Sequence, residues 1–214
     1  MSGSDADMTA TTGLSLLQSV AERIVTAHLT ATGASHVETV GAPVSAHGVG
    51  VDLVTLLGSD SRRIKVKADP YFGTDAEKIA DRALTFYRSD AGSFAFEALA
   101  STATREAGWT LTSDADDLYY YYLALAQGPE EVSALMSERN EVFFSELVVA
   151  RDELVILPMQ PVREWFQEHH SEYTPRPVMH DDAAAWCRLV PRQDVERAID
   201  GIHTVGPIFA SLAR

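Results

Sequence analysis

Two short runs with a tight turn between them constrain this 214-residue chain more than anything else in it. The first, Gly50 to Leu57, is almost continuously apolar and is broken only by Asp52 and Thr55. Gly58-Ser59-Asp60 supplies a hairpin connection. The second run, Arg62 to Ala68, alternates Arg63, Lys65 and Lys67 with Ile64, Val66 and Ala68. Successive side chains on a strand face opposite ways, so Lys65 and Lys67 share one face while Ile64 and Val66 enter a core. In a favourable register Asp52 joins the lysines. Three ionisable groups then converge with no assumption beyond one hairpin.

The rest of the chain reads as α/β, or α+β in detail: a central mixed β-sheet of about five to seven strands flanked by helices. Residues 1–12 are small, polar and acidic, and are expected to form a disordered N-terminal tail; residues 13–214 form one domain. Leu14 to Thr32 has helical apolar spacing, carries Glu22 and ends at Gly33. Val37 to Val44 reads as a first strand, 75–86 as a short helix and Ser93 to Ala107 as a helix. Trp109 to Thr112 and Leu118 to Leu125 read as strands, and a helix opens at Gly128-Pro129. Val142 to Ala150 and Glu153 to Leu157 are expected to pair across Arg151-Asp152. Val162 to His170 and Gln193 to Ile202 read as helices, with 174–185 between them as a loop.

The order of a Glu-bearing helix, an Asp-bearing strand and a strand ending in x-Lys resembles the core of the PD-(D/E)XK nuclease-like superfamily. The resemblance implies a restriction-endonuclease-like architecture. The supported resemblance covers roughly residues 14 to 68. It implies a magnesium-dependent DNA phosphodiesterase (manganese substituting), with Asp52 as the strand acid, Lys67 as the motif lysine and Glu22 as the helix acid. Arg62 and Arg63 then steer the DNA backbone. The sequence departs from the pattern at Lys65, which stands where that family carries an acid; Asp69, two residues beyond Lys67, is the candidate to supply the missing carboxylate, with Glu97 another. At about 4 Å and an effective dielectric of about 20, each unit-charge interaction is worth roughly 4 kcal/mol, so a lysine there opposes metal binding strongly.

Composition bears on the choice. The formal net charge is -14, and such a bulk field repels nucleic acid. The alternative is therefore a catalytically inactive nuclease fold used for binding or assembly, in which Lys65 pairs with Asp52 across the hairpin and a protein partner replaces DNA. A third reading is an unrelated α+β domain whose hairpin mimics the motif. A homodimer is expected from the resemblance alone. The single Cys187 excludes an intrachain disulfide. No apolar run reaches membrane-span length, and the lack of a signal-like N-terminus points to the cytoplasm.

Overall fold

A computed structural model describes residues 4–40, 44–45, 48–70, 92–180 and 183–213. The long helix α1 (Ser4–Ala31) buries Val20, Ala21, Ile24, Val25 and Leu29 along one stripe, as the 3.6-residue spacing requires. It begins inside the stretch read as a tail. Next come β1 (His36–Thr39), the short pair β2 (Val44–Ser45) and β3 (Gly48–Val49), and the hairpin β4 (Leu53–Leu57) and β5 (Asp60–Asp69). Gly58 takes φ +64° at the hairpin turn, where glycine is free of the Cβ penalty.

Among the described residues the fold is a mixed α+β arrangement of two main sheets and six α-helices. With β8 (Asp117–Leu125), β9 (Val149–Pro158) and β12 (His203–Gly206), a six-stranded sheet runs β1-β4-β5-β8-β9-β12. Its β5 and β8 are parallel and the other pairs antiparallel. A second, antiparallel sheet has the order β10-β11-β6-β7, from β6 (Ser93–Ser101), β7 (Glu106–Ala107), β10 (Pro175–His180) and β11 (Ala183–Pro191).

Both faces of β8 are buried, as suits a strand between layers. Tyr119 and Tyr121 pack with Ile64, Val66 and the apolar stripe of α1. Tyr120 and Tyr122 face the other way, onto Phe94 and Phe96 of β6. Phe94 and Phe96 stack with centroids 5.3 Å apart, and Tyr120 meets Phe94 edge-on at 5.0 Å. Helices α5 (Met159–His169) and α6 (Arg192–Ala198) complete this second core through Val162, Phe166 and Val195. The helix α3 (Pro129–Met136) and α4 (Asn140–Glu146) belong to the α1 side. There Arg23 lies 4.0 Å over the Phe143 ring and donates to the carbonyl oxygens of Met136 and Glu138.

The hairpin, the β8 strand and the helix from Pro129 stand where the sequence reading put them. Several other elements differ. Residues 93–107 are not a helix but β6 and β7. The alanines favour helix, yet Phe94, Phe96 and Ala98 are buried on a period of two, and β6 pairs with β11 in the register Phe94↔Val190. Residues 109–112 are one helical turn, α2 (Trp109–Thr112), closed by the Ser113 N–H on the Trp109 carbonyl. Residues 140–146 form α4 because Phe143 and Phe144 are buried on adjacent positions of one turn.

Arg151-Asp152 is not a turn, for β9 runs through it unbroken. The Asp152 carboxylate accepts hydrogen bonds from the Tyr121 hydroxyl (2.9 Å) and the N–H groups of Ile208 and Phe209 (2.7 and 3.0 Å), so a charge inside the strand is satisfied. Residues 175–180 are strand β10 rather than loop, and the last helix stops at Ala198, before β12. Of the strand expected over 37–44, β1 covers the part to Thr39 and Val44 falls in β2, while residues 41–43 and the helix expected over 75–86 lie outside the described residues.

Phe96 is fully buried between the two sheets and α5. Phe96→Ala is expected to cost about 3–5 kcal/mol, read as a lowered denaturant midpoint with an unchanged slope; a cost below about 1 kcal/mol would contradict the packing described.

Candidate functional site

The pairing of β4 with β5 ends at Leu53↔Ile64, whereas β5 continues to Asp69. Beyond Ile64 the outer edge of β5 carries backbone groups that β4 does not reach, and buried backbone groups require partners. Side chains supply them. The Asp52 N–H still donates to the Ile64 carbonyl at 2.9 Å. One residue pair further, the Asp52 Oδ2 accepts the Val66 N–H at 2.8 Å. Gln18, from α1, donates through Nε2 to the Val66 carbonyl (2.8 Å) and accepts the Ala68 N–H on Oε1 (3.0 Å).

The same Asp52 carboxylate holds Lys65. Nζ lies 3.1 Å from Oδ1 and 3.0 Å from Oδ2, so the ammonium faces both oxygens. The two side chains are only 16% and 18% exposed, which reduces solvent screening of the pair. Sequence reasoning offered this cross-strand ion pair as one outcome, and it is the arrangement adopted.

Asp52 and Lys65 form part of the wall of a cleft of about 420 Å³. Glu22 of α1, Glu97 of β6, Glu106 of β7 and Trp109 of α2 line it as well. Glu97 is 9% exposed and accepts the Trp109 N–H on Oε1 at 3.1 Å. Gly108 allows this approach: a Cβ there would lie 2.3 Å from the Glu97 carbonyl oxygen. Burial raises the Glu22 pKa above its ordinary 4.5, and nearby Asp52 adds to this. The Gln18 side-chain hydrogen bond (2.9 Å) and Lys65 pull the other way.

The structure brings Glu22, Asp52, Lys65 and Glu97 to one cleft and places the remaining sequence candidates elsewhere. Lys67 and Asp69 follow Lys65 on the same strand face, but among the described residues neither lines the cleft. Asp69 is 4% exposed and accepts the Tyr120 hydroxyl at 2.7 Å, while that hydroxyl accepts the Ala95 N–H. Arg63 grips Asp116, Nη2 to Oδ1 at 2.7 Å, and Arg62 lies 3.8 Å from Asp117. Arg62 and Arg63, expected to steer a DNA backbone, are therefore partly neutralised at the start of β8. Gln18, Glu106 and Trp109 were missed. Gln18 was findable, lying one helical turn before Glu22. Glu106 and Trp109 reach the cleft only through the second sheet.

A divalent magnesium ion requires several oxygen ligands in one tight shell. Among the described residues no three His, Cys, Asp or Glu side chains form such a group. Both Asp52 oxygens face an ammonium, and Oδ2 also holds a backbone amide. The donor set as arranged does not fit the ion that the resemblance implies.

Asp52→Ala leaves the Lys65 ammonium and the Val66 N–H without their partner, for an expected loss of about 2–4 kcal/mol in denaturant unfolding. Adding Lys65→Met should restore much of that loss; strict additivity would mean the pair is not coupled. Glu22 gives a pH signature. Its folded pKa is raised, so the folded state holds the proton more tightly, and its contribution is fully present below the unfolded value and fades as pH rises through the folded one. Stability of the wild type should thus fall relative to Glu22→Gln as pH climbs above 4.5, and parallel curves would contradict it. Comparison with family models, curated proteins and solved structures finds no match.

Proposed function

We propose that the protein is a non-catalytic fold of the nuclease-like type that its hairpin resembles, acting by binding a protein partner rather than by cutting DNA. The observation that carries this reading is the Asp52 carboxylate, whose two oxygens are engaged by Lys65 and the Val66 N–H. A strand acid committed to an internal cation offers little to a further hard cation.

Charge supports the same choice. At a net -14 the exterior repels a polyanion, and long-range attraction favours a partner with a basic surface. Arg62 and Arg63, the residues best suited to phosphate, are drawn toward Asp117 and Asp116.

One observation favours the second reading, a metal-dependent DNA phosphodiesterase: Glu22, Asp52, Lys65 and Glu97 line one cleft. Under it Asp52 must first release Lys65.

Plasmid and linear DNA incubated with the protein and magnesium or manganese are expected to stay intact. Binding to labelled duplex should be no tighter than about 10⁻⁴ M at physiological salt. Cleavage that disappears in both Asp52→Ala and Lys67→Ala would replace the first reading by the second.

A further inference from the structure

We infer that the cleft lined by Glu22, Asp52 and Glu97 receives an arginine side chain of the protein partner, with the Glu97 carboxylate as its main acceptor. The inference rests on the protein-binding reading above and deepens it by naming the contact.

Glu97 carries the argument. It is only 9% exposed, yet it lines the cleft. Its Oε1 accepts the Trp109 N–H at 3.1 Å. Among the described residues no hydrogen bond or ion pair reaches its Oε2. A buried carboxyl group with acceptor capacity unused is costly until a donor arrives. Gly108 lets α2 lie against Glu97, so the acceptor is held in place before any ligand enters.

The rest of the lining fits a guanidinium. Asp52 is matched by Lys65, but among the described residues Glu22, Glu97 and Glu106 have no ion-pair partner. A metal needs its oxygens in one tight shell, which these groups do not form. A guanidinium spreads its N–H donors over a planar fork and reaches separated acceptors. Trp109, held edge-on to Phe96 at 6.2 Å, adds an indole to the wall, and indoles attract such a cation. Val40 and Val49 supply apolar surface for the methylene stem of the side chain. The bulk charge of -14 draws in a basic partner, and the cleft gives that partner one specific contact.

The test titrates the full chain with an acetylated, amidated Gly-Arg-Gly tripeptide. Calorimetry gives the affinity, and the backbone amide resonance of Trp109 reports on Glu97. A saturable site of about millimolar affinity is expected, with that amide shifted. The same tripeptide carrying citrulline, the neutral isostere of arginine, should bind about tenfold more weakly or worse. Glu97→Gln keeps an oxygen for the Trp109 N–H and should weaken the arginine peptide about tenfold or more. Glu106→Gln, exposed on β7, should weaken it about twofold to fivefold and serves if Glu97→Gln does not fold. Glu131→Gln, the same change of charge on the exposed first turn of α3, should leave the affinity as it is.

An unshifted Trp109 amide, equal binding of the citrulline peptide, or equal losses in Glu131→Gln and the cleft variants overturns the inference. Free arginine, which brings its own carboxylate, should bind more weakly than the tripeptide. Tighter binding of the free amino acid would assign the cleft to a small molecule and overturn the partner contact. Any of these failures with DNA left intact removes this inference and leaves the protein-binding reading standing. DNA cleavage alongside Glu97-dependent peptide binding does the reverse.

Discussion

The outer edge of β5 beyond Ile64 sets the terms for everything around the cleft. A strand that outruns its neighbour leaves amides and carbonyls that water cannot serve once a helix lies across them. Asp52 and Gln18 take the place of the missing strand, one from the end of β4 and one from α1. The arrangement locks the helix to the sheet through polar contacts as well as through the apolar stripe from Leu17 to Leu29. It also brings Glu22, one turn after Gln18, into the lining of the cleft. The candidate site is thus a by-product of how the sheet edge is closed.

Charge neutralisation repeats around the molecule at short range. Lys65 meets Asp52, Arg63 meets Asp116, and Arg192 bridges Glu153 and Glu196. Much of the basic charge near the hairpin is spent internally. What remains is the acidic excess, whose field acts at long range and is sensitive to salt. Local pairing and the bulk field therefore both oppose contact with a polyanion, for independent reasons.

Several elements were legible in the chain because their signals are local. The α1 stripe, the Gly58 turn and the alternation through Ile64, Val66 and Ala68 each depend on residues close in sequence, and the structure retains them. Phe94 to Leu99 misled because alanine-rich composition favours helix, while the edge-on packing of Phe94 and Phe96 against Tyr120 requires a strand. Arg151-Asp152 misled because a charged pair within an apolar run resembles a turn. Its partners, Tyr121 and the backbone of Ile208 and Phe209, lie far along the chain.

At the cleft the division is sharp. Residue types and strand period alone determined that Asp52, Lys65 and Glu22 belong to a helix-and-hairpin unit with lysines on one face, since those relations span one turn or one hairpin. Only the tertiary structure decided that Lys65 rather than Lys67 meets Asp52, that Tyr120 takes Asp69, and that Glu97, Glu106 and Trp109 line the same cleft. Those outcomes depend on where β4 stops against β5 and on how the second sheet folds across the first, and long-range register is not written in any local window of the chain.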